Sequence, residues 1–126
     1  MSLLPPGATK VDLSNKGLGD DGAARLAEEL LTNTSVTELN LQINDVGAAG
    51  SASLASALEK NATLQSLNLA FNGVGAAGAA SLASALEKNA TLQMLVLDET
   101  VQKFFRRTAI REGDRGLPRC FVLFAG

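Results

Sequence analysis

A few residues in this sequence have the chemistry to act on another molecule. There are two carboxylate pairs, Asp20-Asp21 and Glu28-Glu29, one thiol, Cys120, and a pair of guanidinium groups, Arg106-Arg107. Three GxxG elements lie at 19–22, 47–50 and 75–78. Adjacent carboxylates on a helix point apart, so neither pair is placed to share acid and base roles. A nucleophilic thiol needs a base, and the chain has no histidine, which also removes the common nucleophile triads and the usual zinc clusters. Cys120 therefore reads as a small buried hydrophobe. The arginines could hold a phosphate or an acidic partner, but they fit the solvated face of a helix better. The glycine elements lack the Gly-Lys-Ser/Thr of a phosphate loop and the dinucleotide fingerprint, and read as turns. The expectation is a chain that is not an enzyme and holds no cofactor and no metal.

The bulk composition agrees with that expectation. The chain has 126 residues, 46% of them hydrophobic and 19% charged, enough for one domain with a real core. Eleven basic and 13 acidic residues give a net charge of -2, so neither nucleic acid nor an anionic membrane is an expected partner. No apolar run approaches the length of a membrane span, and the first residues do not look like a signal peptide. A single cysteine excludes an intrachain disulfide and favours a cytoplasmic location. Met1-Ser2-Leu3 reads as an expression remnant and Pro5-Pro6-Gly7 as an irregular lead-in.

The organising feature is a repeat. VTELNLQINDVG at 36–47 returns as LQSLNLAFNGVG at 64–75, and SLASALEKNATLQ occurs unchanged at 53–65 and 81–93. Leu39, Leu67 and Leu95 fall in register at 28 residues, as do Leu41, Leu69 and Leu97. Weaker matches extend the template backwards through Val11, Leu13, Leu26 and Leu30. The division is 8–35, 36–63, 64–91 and a degenerate C-terminal cap over 92–126, all within one domain spanning 1–126.

Each unit changes its hydrophobic period once. Thr37 to Gln42 alternates, with Leu39 and Leu41 on one face, which predicts a short half-buried strand. After the glycine turn Leu54, Ala55 and Leu58 recur at helical spacing, and an asparagine such as Asn33 or Asn61 is placed to close the helix in the left-handed cap conformation. Successive strands must then pair in parallel. Strands sit about 4.8 Å apart and helices about 8–10 Å apart, so the stack must curve with its sheet inside. The fold class is α/β: a short horseshoe solenoid, parallel sheet on the concave face and helices on the convex face.

LxxLxLxxNxxG, as written at 64–75, resembles the leucine-rich repeat, and the period with its helical segment resembles the ribonuclease-inhibitor-like subclass. That subclass includes cytoplasmic NOD-like receptors, Ran GTPase-activating proteins and ribonuclease inhibitors. The resemblance covers residues 9 to about 101. It implies an asparagine ladder at Asn44 and Asn72, with Lys16 and Thr100 in the equivalent outer slots. It also implies protein binding. The arginine of the GTPase-activating relatives has no counterpart in a matching motif here.

A partner would meet the concave face. Its columns run Lys10, Glu38, Ser66, Met94; then Asp12, Asn40, Asn68, Val96; then Ser14, Gln42, Ala70, Asp98. The candidate contact residues are Glu38, Asn40, Gln42, Ser66, Asn68, Met94, Val96 and Asp98. Met94 and Val96 form a contact patch, a surface that the C-terminal segment folds back to cover, or scattered surface hydrophobes without a role. Phe71 and its counterpart Ile43 read as core of the strand-to-helix bend. Val101 to Glu112 reads as a capping helix, and CFVLF at 120–124 as a fifth strand or an unpaired adhesive tail. The function expected is a non-enzymatic protein–protein interaction module. The alternative is a self-associating structural protein, a homodimer through the concave or C-terminal apolar surface, or a fragment of a longer receptor-like or GTPase-activating chain.

Overall fold

The computed structural model describes residues 2–105 and 120–125. Strands and helices alternate: β1 (Lys10–Asp12), α1 (Gly19–Thr32), β2 (Glu38–Asn40), α2 (Ala48–Leu58), β3 (Ser66–Asn68), α3 (Gly75–Lys88) and β4 (Met94–Asp98). A 3₁₀-helix, Glu99–Phe105, and β5 (Phe121–Ala125) follow. All five strands are parallel and lie side by side in chain order. This is the α/β solenoid that the strand-to-helix change of period predicts.

Two apolar layers explain why the elements form. Val11, Leu39, Leu67, Leu95 and Val122 pair across the sheet and point inward. Leu41, Leu69 and Leu97 form a second inner row and are fully buried. Against them lie Leu26 and Leu30 of α1, Leu54 and Leu58 of α2, and Leu82 and Leu86 of α3. Each such leucine contributes about 2 kcal/mol of burial. No single strand–helix pair has enough apolar surface of its own to bury, so the core exists only between neighbours.

The GxxG segments are not turns. Their second glycines, Gly50 and Gly78, lie inside α2 and α3, and both are buried. A Cβ on Gly50 would come within 2.7 Å of an Asp20 oxygen and 3.0 Å of the Ala23 methyl. The glycine is therefore set by the close approach of α2 to α1. Asp20 uses that approach: its Oδ1 accepts the Gly47 and Gly50 amides at 2.7 and 2.9 Å, so α1 supplies the cap for the start of α2.

The ends differ from the sequence reading in two respects. Ser2 and Leu3 are not outside the fold. The Glu29 carboxylate accepts the Ser2 hydroxyl and the Leu3 and Leu4 amides at 2.6–3.0 Å, and Leu4 is buried in the core. Of the capping helix expected over Val101 to Glu112, only 101–105 are described, and there the chain is a 3₁₀-helix that starts at Glu99 and buries Val101. The adjacent β-branched residues Thr100 and Val101 disfavour the α form there, and a short 3₁₀ turn accommodates them. Arg106, Arg107, Thr108, Ile110 and Arg111 lie outside the described residues. CFVLF does form a strand, with Cys120 and Val122 turned to the core.

Candidate functional site

The face opposite the helices is held by side chains that first serve the backbone. Asn44 and Asn72 are buried where each strand turns toward its helix. The Asn72 carbonyl accepts the Asn44 amide at 2.9 Å and the Val46 amide at 3.0 Å. Its Nδ2 donates to the Leu41, Leu69 and Ala70 carbonyls at 3.0–3.2 Å. Asn44 repeats the pattern one strand earlier, accepting from Lys16 and Leu18 and donating to Leu13 and Gln42. These are backbone groups that a buried bend would otherwise strand.

A second asparagine ladder runs along the other end of the strands. Asn61 Nδ2 donates to the Leu30 and Asn33 carbonyls, and Asn89 Nδ2 to those of Leu58 and Asn61. The Oδ1 atoms of Asn33, Asn61 and Asn89 accept the amides two and three residues ahead. The left-handed cap expected of these asparagines is not used: Asn33 and Asn89 are extended, with ψ of 132° and 130°. Each asparagine's own amide makes the last bond of its helix, to Glu29, Ala57 or Ala85, and the side chains of Asn61 and Asn89 tie that end to the preceding unit. The repeated NTSVT and NATLQ segments carry the signal for it.

The sheet brings the candidate contact residues into the expected columns. Lys10, Glu38, Ser66 and Met94 stand side by side and continue to Phe121; Asp12, Asn40, Asn68 and Val96 continue to Leu123. The polar half is partly self-satisfied. Lys10 Nζ lies 3.5 Å from Glu38 Oε2. The Oδ1 atoms of Asp12, Asn40 and Asn68 accept the amides of Ser14, Gln42 and Ala70 at 2.9–3.0 Å. The Ser14 hydroxyl, then its amide, hold the Asp12 carboxyl below the usual range. So Asn40 and Asn68 shape turns, and only their NH₂ groups remain to meet a partner. Gln42 is half-buried, and Ala70, read as outward, is wholly buried, because the Asn68 turn ends the strand alternation before it. Asp98 is half-buried and accepts the Phe71 amide.

The apolar half is larger than the sequence alone suggested. Met94 is 40% exposed, Phe121 58% and Leu123 47%, with half-buried Val96 between them. β5 adds Phe121 and Leu123, and does not cover Met94. The alternation within CFVLF contains that information once the strand is placed. A hollow of about 600 Å³ lies between Met94, Phe121, Gln93, Gln65, Ser66 and Glu38, twice the roughly 300 Å³ at the polar end.

Ile43 and Phe71 overturn the core reading. They are 51% and 53% exposed, with φ of 56° and 59°. A left-handed backbone turns each side chain out of the bend, and Leu41, Leu69, Ala70, Val46 and Val74 fill the space instead. That conformation costs a residue with a Cβ about 1–2 kcal/mol, and a β-branched isoleucine is among the least suited to it. Cys120 is buried, and burial pushes its thiol up to about 11, which keeps it protonated and unreactive. Among the described residues no group of His, Cys, Asp and Glu is placed to hold a metal ion. No described helix is long and apolar enough to cross a membrane.

The two strand–helix pairs whose bends carry the ladder asparagines Asn44 and Asn72 are the part of the chain that a family model matches. The family model "Leucine Rich repeat" matches residues 32–55 and 60–83. Among solved structures, the chain is similar to one titled "Leiomodin-1 Actin-Binding Site 2 (ABS2)", at 29% identity and a TM-score of 0.69. The match covers 73% of this chain and 54% of that one, so this chain spans about half of the neighbour's length. No curated protein matches the sequence. Domains built of leucine-rich repeats are generally protein-binding modules.

Proposed function

We propose that this chain is a non-enzymatic protein-binding module built of 28-residue units of the ribonuclease-inhibitor-like subclass, acting in the cytoplasm. Its contact surface is the concave face, strongest toward β4 and β5. The observation that carries the reading is the contiguous exposure of Met94, Phe121 and Leu123 beside a hollow, on a sheet whose first three strands turn polar side chains to the same face. Apolar groups gathered in this way mark interfaces rather than ordinary surface. The neighbour titled as an actin-binding site supports a protein as partner and makes monomeric actin the first one to try. Neither nucleic acid nor a membrane is part of the proposal.

A second copy of the chain is the other partner that an observation favours. Among the described residues β5 is the last strand of the sheet, and it carries two exposed large apolar side chains. Such an edge is a template for strand pairing. Sedimentation velocity of the chain alone, over about a hundredfold concentration range, and with actin, tests both partners. Association is expected in one arm, lost in Met94→Ser/Val96→Ser with little change in melting temperature. A mass fixed at 13.0 kDa in both arms overturns both partners. A strongly destabilised variant that still associates overturns the concave patch as the contact.

A further inference from the structure

A separate surface lies at the C-terminal ends of the strands. There Asn15, Ile43, Phe71 and Glu99 follow one another across the stack, tied by the Asn15 amide to the Gln42 carbonyl and the Ile43 amide to that of Ala70. Asn15, Ile43 and Phe71 share one left-handed conformation, with φ of 55–59°. Asparagine is the ordinary occupant of such a position, because a short amide tolerates it. Isoleucine and phenylalanine are disfavoured twice, by the backbone and by their exposure to water. Folding gives no reason for either choice.

Their surroundings are acidic. Asp45, two residues beyond Ile43, is exposed and is itself left-handed at 58°. Asp98, Glu99 and Thr100 line a hollow of about 630 Å³ with Phe71, Asn72 and Ala125. Among the described residues no cation is within ion-pair distance of Asp45 or Glu99. Neighbouring strands are about 4.8 Å apart, close to the roughly 5–6 Å between side chains four apart on a helix. From this strain, exposure, charge and spacing we propose that Ile43 and Phe71 form a docking ridge for a basic amphipathic helix of a partner protein. The helix would lay two apolar side chains against the ridge and its lysines or arginines toward Asp45 and Glu99.

The probe is a labelled amphipathic peptide with leucines four residues apart flanked by lysines, titrated with the full chain and read by fluorescence anisotropy. Its twin carries glutamates in place of the lysines. The basic peptide is expected to bind with a dissociation constant near or below about 100 µM and to weaken with added salt. Ile43→Asn/Phe71→Asn should weaken it about tenfold or more, with a melting temperature that holds or rises because asparagine suits the left-handed backbone. Met94→Ser/Val96→Ser, on the concave face, should leave it unchanged. No binding by the wild-type chain, equal binding of the acidic twin, or undiminished binding by the asparagine variant would each overturn the proposal.

Discussion

Replacing Asn72 by alanine removes more than a side chain. It strands the Asn44 and Val46 amides, whose acceptor was Asn72 Oδ1, and deprives the Leu41, Leu69 and Ala70 carbonyls of a donor. Each carbonyl keeps a second lone pair, so the two buried amides dominate. A stranded buried donor costs about 1–3 kcal/mol, which places the total loss at about 3–4 kcal/mol. That is a large share of the roughly 5–15 kcal/mol typical of a small domain. Asn68→Ala is the internal control. Its single contact, to the Ala70 amide at 2.9 Å, is half-exposed and should cost under about 1 kcal/mol. Asn72→Asp keeps both acceptor contacts but sets a carboxylate against three carbonyls, so it too should destabilise, most strongly once ionised. Urea denaturation gives each loss, and the slope with denaturant should not change between variants. If Asn72→Ala lies within about 1 kcal/mol of wild type, or no lower than Asn68→Ala, the ladder is not what holds the bend.

Other substitutions test other parts of the stack. Ser51 Oγ is buried with no hydrogen-bond partner, while Ala23 and Ala79 hold the matching positions, so Ser51→Ala should raise stability by about 1 kcal/mol in the same urea experiment. Burial raises the Glu29 carboxyl, but the Ser2 hydroxyl, the Leu3 and Leu4 amides and Arg25 outweigh it and leave its pKa below the ordinary glutamate value. Its stabilisation is therefore complete above that value and disappears as pH falls through the lowered folded pKa. Glu29→Gln should flatten this acid limb in melts taken from pH 5 downward. With the Cys120 thiol at about 11, only about one molecule in a thousand carries the thiolate at pH 8. Alkylation of the native chain should then be slow and should accelerate sharply across the unfolding transition, as mass spectrometry can follow.

The strands, their register and the inward leucines were legible because alternation and spacing are local facts written into the sequence. Leu39, Leu67 and Leu95 stand where their spacing put them. What escaped depends on backbone conformation or on contacts between neighbours. Ile43 and Phe71 occupy apolar letters within an apolar run, and only a positive φ turns them outward. Asp20 looked like half of a carboxylate pair because its partners, Gly47 and Gly50, belong to the next helix. Asn33, Asn61 and Asn89 were visible as a series, yet the sequence could not separate a backbone cap from a side-chain ladder. On the concave face, the first two columns stand in the expected register, and Ala70 of the third is buried. Hydrogen bonds show that Asn40 and Asn68 first serve the turns.

Because every ladder asparagine reaches only to the adjacent strand–helix pair, the stack responds differently to force in its two directions. A pull along the strands shears the bonds of an interface together. A pull on the two ends of the chain acts across the sheet and loads one interface at a time. The molecule should then open as a zipper does, in steps. Each freed stretch, such as the one from Leu39 to Leu67, would lengthen by roughly 95 Å at full extension. The same joints that make the fold modular make its tension–length curve a sawtooth.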